Sequence, residues 1–111
     1  LKGADYLKNE ITQTLNNYAS GLNSSKSKNV IWELQTNYHF GGYAKLTPEL
    51  IQFCKNFHET QQIELDLVYT GKLFFGIFDL IEKGYFKEGT KILAMHTGGI
   101  QGNKGFKDLI S

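Results

Sequence analysis

The chain has 111 residues, of which 41% are hydrophobic and 14% aromatic, and its formal net charge is +1. Such a composition is typical of a globular domain and not of a disordered segment. The small net charge provides no basic field for nucleic acid, and no apolar run approaches the length that crosses a bilayer. A single cysteine excludes an internal disulfide and suits a reducing compartment. We therefore expect a cytoplasmic globular protein that binds neither nucleic acid nor membrane.

The first third of the chain carries one helix pattern and one strand pattern. Apolar residues recur at intervals of three and four after Asp5, which predicts an amphipathic helix that Asp5 caps and that ends near Gly21. Residues 30–34 have the composition of a β-strand. An aromatic loop follows at residues 38–43, with three aromatic side chains, one histidine and two glycines. This loop could line the mouth of a pocket or cover the core, and the sequence leaves both interpretations open.

A second helix is predicted to begin after Thr47, which is suited to cap it, with Pro48 at the first helical position. The spacing i, i+3, i+4, i+7 defines its buried face, which consists of Leu50, Phe53, Cys54 and Phe57. We expect the Cys54 thiol to be packed in this face without a catalytic role. The three histidines lack the spacing of a metal site, so no metal is expected.

The most informative stretch runs from residue 69 to residue 102. Apolar spacing predicts a helix over residues 71–85, buried on most of its circumference, and Gly84 provides its stop. The apolar run at residues 92–95 predicts a parallel strand over residues 91–96 that is covered on both faces. Polar residues stand at both ends of this unit, Tyr69-Thr70 before the helix and His96-Thr97-Gly98-Gly99 after the strand. They are either ordinary turns or two halves of a ligand site, because open α/β sheets bind ligands at the carboxyl ends of strands.

These motifs resemble one family of enzymes. Residues 66–72, 76–80, 83–84 and 96–99 are similar to the carboxyl-terminal end of the pyridoxal-phosphate enzymes that comprise D-cysteine desulfhydrase and 1-aminocyclopropane-1-carboxylate (ACC) deaminase. The resemblance implies an α/β fold, part of a three-layer α/β/α domain with a mostly parallel sheet, of the tryptophan synthase β-like type. Residues 1–111 would then be a carboxyl-terminal fragment of that catalytic fold, without an internal boundary.

The resemblance also implies roles for individual residues. Tyr69 would be catalytic, beside the cofactor and the substrate, while Thr70, Thr97 and Gly98 would bind pyridoxal phosphate. A neutral hydroxyl facing the ring nitrogen, from Thr97 with help from Thr70, would make the ring a milder electron sink than a carboxylate would. ACC deaminases resemble this chain but carry glutamate where Thr70 stands, which favours the desulfhydrase.

The family's cofactor-binding lysine lies in its amino-terminal half, and the only methionine of this chain is Met95. We therefore expect an excerpt of a longer enzyme, inactive by itself, whose full-length form is a homo-oligomer acting on a small amino-acid substrate. The expected reaction converts D-cysteine to a keto acid, ammonia and sulfide. Deamination of ACC is one alternative, and a non-enzymatic anion-binding or interaction module is another.

Overall fold

A computed structural model of the chain describes residues 3–22 and 31–110. Its helices are α1 (Asp5–Leu22), α2 (Pro48–Gln61), α3 (Thr70–Glu82), a 3-10 helix (Ile100–Phe106) and α4 (Lys107–Ile110). The chain divides into two compact units, Leu1–Asn37 and Tyr38–Ser111. The first unit contains α1, and the second contains the other helices and every predicted site residue. That the chain is a fragment of one larger catalytic fold stays a prediction.

The helix predicted after Asp5 is confirmed as α1, but Asp5 is its first helical residue and not the cap that precedes it. The amide of Leu7 donates to the carbonyl of Ala4 at 2.9 Å, which closes the turn at the start of the helix. Leu7 and Ile11 are half-buried, as the amphipathic pattern predicts. No helix among residues 3–22 and 31–110 is long and apolar enough to cross a membrane.

The predicted start of α2 is confirmed, and so is its buried face except at Phe53, which is half-buried. The Thr47 hydroxyl accepts a hydrogen bond from the amide of Leu50 at 3.2 Å, and Pro48 occupies the first helical position. Leu50, Cys54 and Phe57 are buried, and together with Leu65 and Leu67 they form the core of the second unit. Burial, and then the nearby charge of Asp66, raises the pKa of the Cys54 thiol to about 12. A thiol that holds its proton so firmly is suited to packing and not to nucleophilic attack.

Helix α3 packs against α2 through phenylalanine rings. The ring centroids of Phe53 and Phe75 lie 5.3 Å apart, and those of Phe57 and Phe74 also lie 5.3 Å apart, both pairs in edge-on contact. Gly71 permits this approach, because a Cβ there would lie 2.7 Å from the Cys54 sulfur and 2.7 Å from the Asp66 carbonyl oxygen.

The predicted stop at Gly84 is confirmed. Gly84 has a φ of 74°, and its amide donates to Ile81 O at 3.1 Å while the amide of Tyr85 donates to Leu80 O at 3.0 Å. This pair of bonds is a Schellman motif, which needs a left-handed residue after the helix. The helix ends at Glu82, a few residues before the predicted limit.

The two predicted strands are not formed in the part of the chain that the structure describes. Val30 lies outside the described residues, and neither residues 31–34 nor residues 91–96 belong to a strand ladder. Leu93 is 87% exposed and Met95 67%, so the predicted burial of residues 92–95 is wrong. A parallel strand requires neighbouring strands for its backbone and covering layers for its side chains. The described residues supply neither, and the three-layer sheet is not confirmed.

The same explanation applies to α3. Leu73, Phe78 and Ile81 remain nearly half exposed, so the expectation that this helix is buried on most of its circumference is wrong. One face packs on α2, and the described residues provide no second layer for the other.

Candidate functional site

Residues 64–67 form the anchor segment, whose backbone is bound by side chains in place of neighbouring strands. His96 Nε2 lies 2.8 Å from Glu64 O, and the Thr70 hydroxyl accepts from the amide of Asp66 at 2.9 Å. The Asn103 side chain bridges the rest, donating to Leu65 O and accepting from Leu67 N, each at 3.0 Å. Buried backbone polar groups need such partners. Groups from α3, the 3-10 helix and the chain before it therefore meet on one short segment.

The Asp66 side chain caps helix α3. Its Oδ1 accepts from the amides of Val68 at 3.0 Å and Tyr69 at 2.6 Å, and its Oδ2 accepts from the amide of Thr70 at 2.9 Å. The Asp66 carbonyl accepts from the amide of Gly71 at 2.7 Å. One residue thus satisfies four amides at the start of the helix, where a negative charge is also favoured by the helix dipole.

The predicted cofactor residue Thr70 is buried beneath this cap, with an exposed fraction of 1%. Its hydroxyl donates to Asp66 Oδ2 at 2.6 Å and accepts from the amide of Asp66 at 2.9 Å. Thr70 was predicted to precede the helix together with Tyr69, but it is the first residue of α3.

The second predicted cluster, the His96 turn (residues 96–99), approaches the same carboxylate. Gly98 donates its amide to His96 Nδ1 at 3.0 Å, so Nδ1 is unprotonated and the proton lies on Nε2, which donates to Glu64 O. Gly99 has a φ of 90°, and a Cβ on it would lie 3.3 Å from Asp66 Oδ2. Glycine at this position therefore permits both the turn and its contact with Asp66.

The predicted site residues differ in what their polar groups contact. The amide of Gly98 is engaged by the His96 ring, and the hydroxyl of Thr70 is engaged by Asp66. Thr97 is exposed, and in residues 3–22 and 31–110 no hydrogen bond to its hydroxyl is found. Thr97 is therefore the predicted cofactor residue whose side chain remains available to a ligand.

The predicted catalytic residue Tyr69 is exposed and lies beside a second tyrosine. Its hydroxyl donates to the hydroxyl of Tyr43 at 3.5 Å, and the ring centroids lie 6.2 Å apart. The hydrogen bond to Tyr43 raises the pKa of the Tyr69 phenol above its ordinary value. Two phenols side by side form a pair that can both donate and accept hydrogen bonds.

Comparison with known proteins gives the family. A Pyrococcus horikoshii protein with a provisional ACC deaminase name is 46% identical over 72 residues, which cover 65% of this chain and 22% of that protein. The bifunctional D-cysteine desulfhydrase/ACC deaminase, mitochondrial, of Arabidopsis thaliana is 34% identical over 99 residues, 88% of this chain and 23% of that protein. An ACC deaminase of Bradyrhizobium sp. (strain ORS 278) is 34% identical over 70 residues, 63% of this chain and 21% of that protein.

The chain belongs to the D-cysteine desulfhydrase/ACC deaminase family. It spans less than a quarter of the length of these three curated relatives. No family model matches the chain, and no solved structure matches it significantly.

In this family member, the aromatic loop at residues 38–43 both covers the core and presents a side chain to the site. The Phe40 ring meets Phe75 edge-on with centroids 4.9 Å apart, while Tyr43 points out beside Tyr69 with 69% of its surface exposed. Lys72 holds the loop, because its ammonium donates to His39 O and Gly42 O, each at 2.9 Å. Burial lowers the pKa of this lysine.

Sequence reasoning missed Asp66 and Asn103 as members of the site, and it singled out Tyr43 only as part of the aromatic loop at residues 38–43. A signal was present for Asp66, since a lone acid between Leu65 and Leu67 shortly before a helix suits a capping role. The partners of Asn103 are more than 30 residues away in the chain, and no local pattern reports such contacts.

One open cavity lies beside the 3-10 helix. It has a volume of about 370 Å³ and is lined by Glu64, Ile100, Gln101, Asn103, Lys104 and Lys107. It includes none of the predicted site residues. Two lysines could attract an anion, but the Glu64 carboxylate lies in the same lining and opposes one, so the cavity does not favour an anion-binding module.

Proposed function

We propose that this chain is part of a pyridoxal-phosphate enzyme that cleaves D-cysteine to a keto acid, ammonia and sulfide. The observation that carries the proposal is the match, over 88% of the chain, with a relative whose name includes D-cysteine desulfhydrase. The residue type at position 70 adds support, since by resemblance ACC deaminases have glutamate where this chain has threonine. The proposal includes a three-layer α/β/α fold for the whole enzyme, to which this chain contributes its helices and both polar turns.

The residues present fit the cofactor at Thr97. Thr97 is exposed, and its hydroxyl has no hydrogen-bond partner among the described residues. The two residues after it, Gly98 and Gly99, have φ near 90° and carry no side chain that could block a ligand. Thr97 would hold the nitrogen end of the pyridine ring, with the Gly98 backbone beside it. Thr70 does not fit as a direct contact in this arrangement, because it is buried and bound to Asp66.

Pyridoxal phosphate, when bound, supplies the electron sink that makes bonds at the α-carbon of an amino acid labile. The contribution of this chain is to place proton-carrying groups next to it. Tyr69 and Tyr43, whose hydroxyls are 3.5 Å apart, are suited to hold a proton at the substrate side. A phenol is protonated near neutral pH, so Tyr69 would act as a proton donor and not as a base. The contact with Tyr43 raises the pKa of Tyr69 and makes it a weaker acid.

ACC deamination is the second candidate, and it is favoured by one specific observation. The Pyrococcus and Bradyrhizobium relatives carry only the ACC deaminase name. The two activities use the same cofactor and differ in whether a carbon–sulfur bond or a strained ring is opened.

The test is an assay of the whole enzyme, loaded with pyridoxal phosphate, on D-cysteine, L-cysteine and ACC. We expect sulfide release from D-cysteine, and slower keto-acid formation from ACC. Tyr69→Phe should lower kcat about 100-fold without loss of bound cofactor, whereas the control Tyr18→Phe, at an exposed position of α1, should leave kcat unchanged. Turnover of ACC alone would transfer the assignment to the second candidate, and turnover of none of these substrates would contradict both.

A further inference from the structure

Asp66 lies where the two halves of the proposed site meet. It is 2% exposed, and its carboxylate accepts hydrogen bonds from the amides that flank and include Tyr69. On the other side Gly99 of the His96 turn packs so closely that a Cβ would come within 3.3 Å of Oδ2. Tyr69 and Thr97 are therefore each within two residues of a direct contact with the same buried group.

The proton of the Thr70 hydroxyl is assigned by these contacts. A hydroxyl has one proton to donate, and the 2.6 Å contact with Asp66 Oδ2 uses it, since a carboxylate oxygen in this setting only accepts. The same hydroxyl accepts from the amide of Asp66 at 2.9 Å. Thr70 thus has no proton left for a ligand, although its sequence position suggests a ligand contact.

We propose that Asp66 is a positioning residue of the site. Its carboxylate holds the start of α3 beside the His96 turn and binds the Thr70 proton. The cofactor would then meet the hydroxyl of Thr97 and not that of Thr70, and the Tyr69–Tyr43 pair would be held at the substrate side. The inference rests on the proposed function for its catalytic consequence, but the link between Asp66 and Thr70 is a property of the chain itself.

The first experiment uses Asp66→Asn in the whole enzyme. The amide NH2 of asparagine cannot accept from the Thr70 amide and hydroxyl, so the start of α3 loses these two hydrogen bonds beside Tyr69 while the side-chain volume is kept. We expect kcat to fall at least about tenfold with KM changed less than about threefold, as for a misplaced catalytic group. A kcat within twofold of the parent enzyme would overturn the proposal.

A milder pair of variants keeps the proposal falsifiable if Asp66→Asn does not fold. Thr70→Ser retains the hydroxyl and should retain kcat, while Thr70→Val removes it and should lower kcat. Neither variant should move the absorbance maximum of the bound cofactor, whereas Thr97→Val should move it. An absorbance shift in Thr70→Val of the same size as in Thr97→Val would show that Thr70 donates to the ring, and would contradict the proton assignment.

A third measurement separates this inference from the proposed function. Hydrogen exchange at the Tyr69 and Thr70 amides is followed in the cofactor-free enzyme for Asp66→Asn, Thr70→Val and the double variant. Each single change should accelerate exchange by at least about fivefold, the loss of one hydrogen bond, and the double variant should exchange no faster than Asp66→Asn alone. If the accelerations of exchange in the two single variants multiply in the double variant, Asp66 and Thr70 act independently, and the proposed link is contradicted even in an active enzyme. If the double variant exchanges no faster than Asp66→Asn but the parent enzyme turns over none of the three substrates, the Asp66–Thr70 link is supported and only the proposed function is rejected.

Discussion

The anchor segment (residues 64–67) and residues 92–95 are both short, apolar-rich and non-helical, yet their environments are opposite. Leu65 and Leu67 are 2% and 0% exposed, whereas Leu93 and Met95 are 87% and 67% exposed. Side chains of Thr70, His96 and Asn103 bind the backbone of the first segment. Among the described residues, no hydrogen bond is found to the backbone of the second.

The difference shows which non-helical segments become buried among the described residues. A non-helical segment becomes buried where polar side chains of the same chain satisfy its amides and carbonyls, because unpaired buried groups are costly. A run of apolar residues without such partners stays exposed, however strand-like its composition. Of the two proposed hydroxyl groups of the site, Tyr69 follows the buried anchor segment, and Thr97 follows the exposed residues 92–95.

The largest expected change in stability comes from comparing a leucine-to-alanine substitution in each segment of the 111-residue chain. Leu67→Ala removes a fully buried side chain and should lower the free energy of unfolding by about 2–5 kcal/mol. Leu93→Ala should change it by less than about 0.5 kcal/mol, because the side chain is already in solvent. Urea unfolding measures both, and equal losses would contradict the contrast between the segments.

A smaller loss is expected where the anchor segment touches α3. Gly71→Ala places a Cβ 2.7 Å from both the Asp66 carbonyl and the Cys54 sulfur, and should destabilise the chain by about 1–3 kcal/mol. Gly105→Ala is the matched control, since a Cβ there meets no atom within 4 Å. If both alanine variants unfold at the same urea concentration as the parent, the close packing at Gly71 is not present in solution.

Next in size is the cap of α2, which fixes the helix that the anchor segment packs against. Thr47→Ala removes the acceptor of the Leu50 amide and should lower the free energy of unfolding by about 1 kcal/mol. Thr12→Ala, in the middle of α1, should be neutral or slightly stabilising, because its hydroxyl bonds back to Lys8 O and alanine has the higher helix propensity. Thermal unfolding distinguishes the two, and a reversed order would refute the cap.

The smallest effect concerns the far end of α3. Hydrogen bonds from Lys83, and then from Tyr38, lower the pKa of the Asp79 carboxyl below its ordinary 3.8. Since the folded pKa is the lower one, these contacts stabilise the fold above about pH 4 and lose their effect as the pH falls through the folded value. Tyr38→Phe should therefore raise the pKa of Asp79 in an NMR titration and reduce stability at pH 7 but not at pH 2. An unmoved Asp79 titration would rule out the 2.7 Å contact with the Tyr38 hydroxyl.

The sequence predicted the helices well because their signals are local. The Thr47-Pro48 start, the Gly84 stop and the four-residue apolar spacing each act within one or two turns, and all three are found in the structure. The family resemblance also singled out Tyr69 and the His96 turn, which the structure brings to a common contact at Asp66.

What failed depended on distant partners. The strand at residues 91–96 needs neighbours that the described residues lack, and periodicity alone cannot supply them. The importance of Asp66 was missed because its side chain lies against Gly99, which is 33 positions away in the sequence (99 − 66). The hydrogen bond from the Thr70 hydroxyl to Asp66 was not predicted either, since only three-dimensional contacts reveal where a hydroxyl proton goes. A cofactor contact of Thr70 stays a prediction.

Hydrogen exchange of individual amides in the 111-residue chain tests the central contrast most directly. The account predicts that the amides of Asp66, Leu67, Tyr69 and Thr70, which are bound by side chains, exchange only through opening of the core, at least about 100-fold slower than in a free peptide. It predicts that the amides of Leu93 and Met95 exchange at nearly free-peptide rates. Equal protection of the two groups, or protection of residues 92–95 alone, would contradict it.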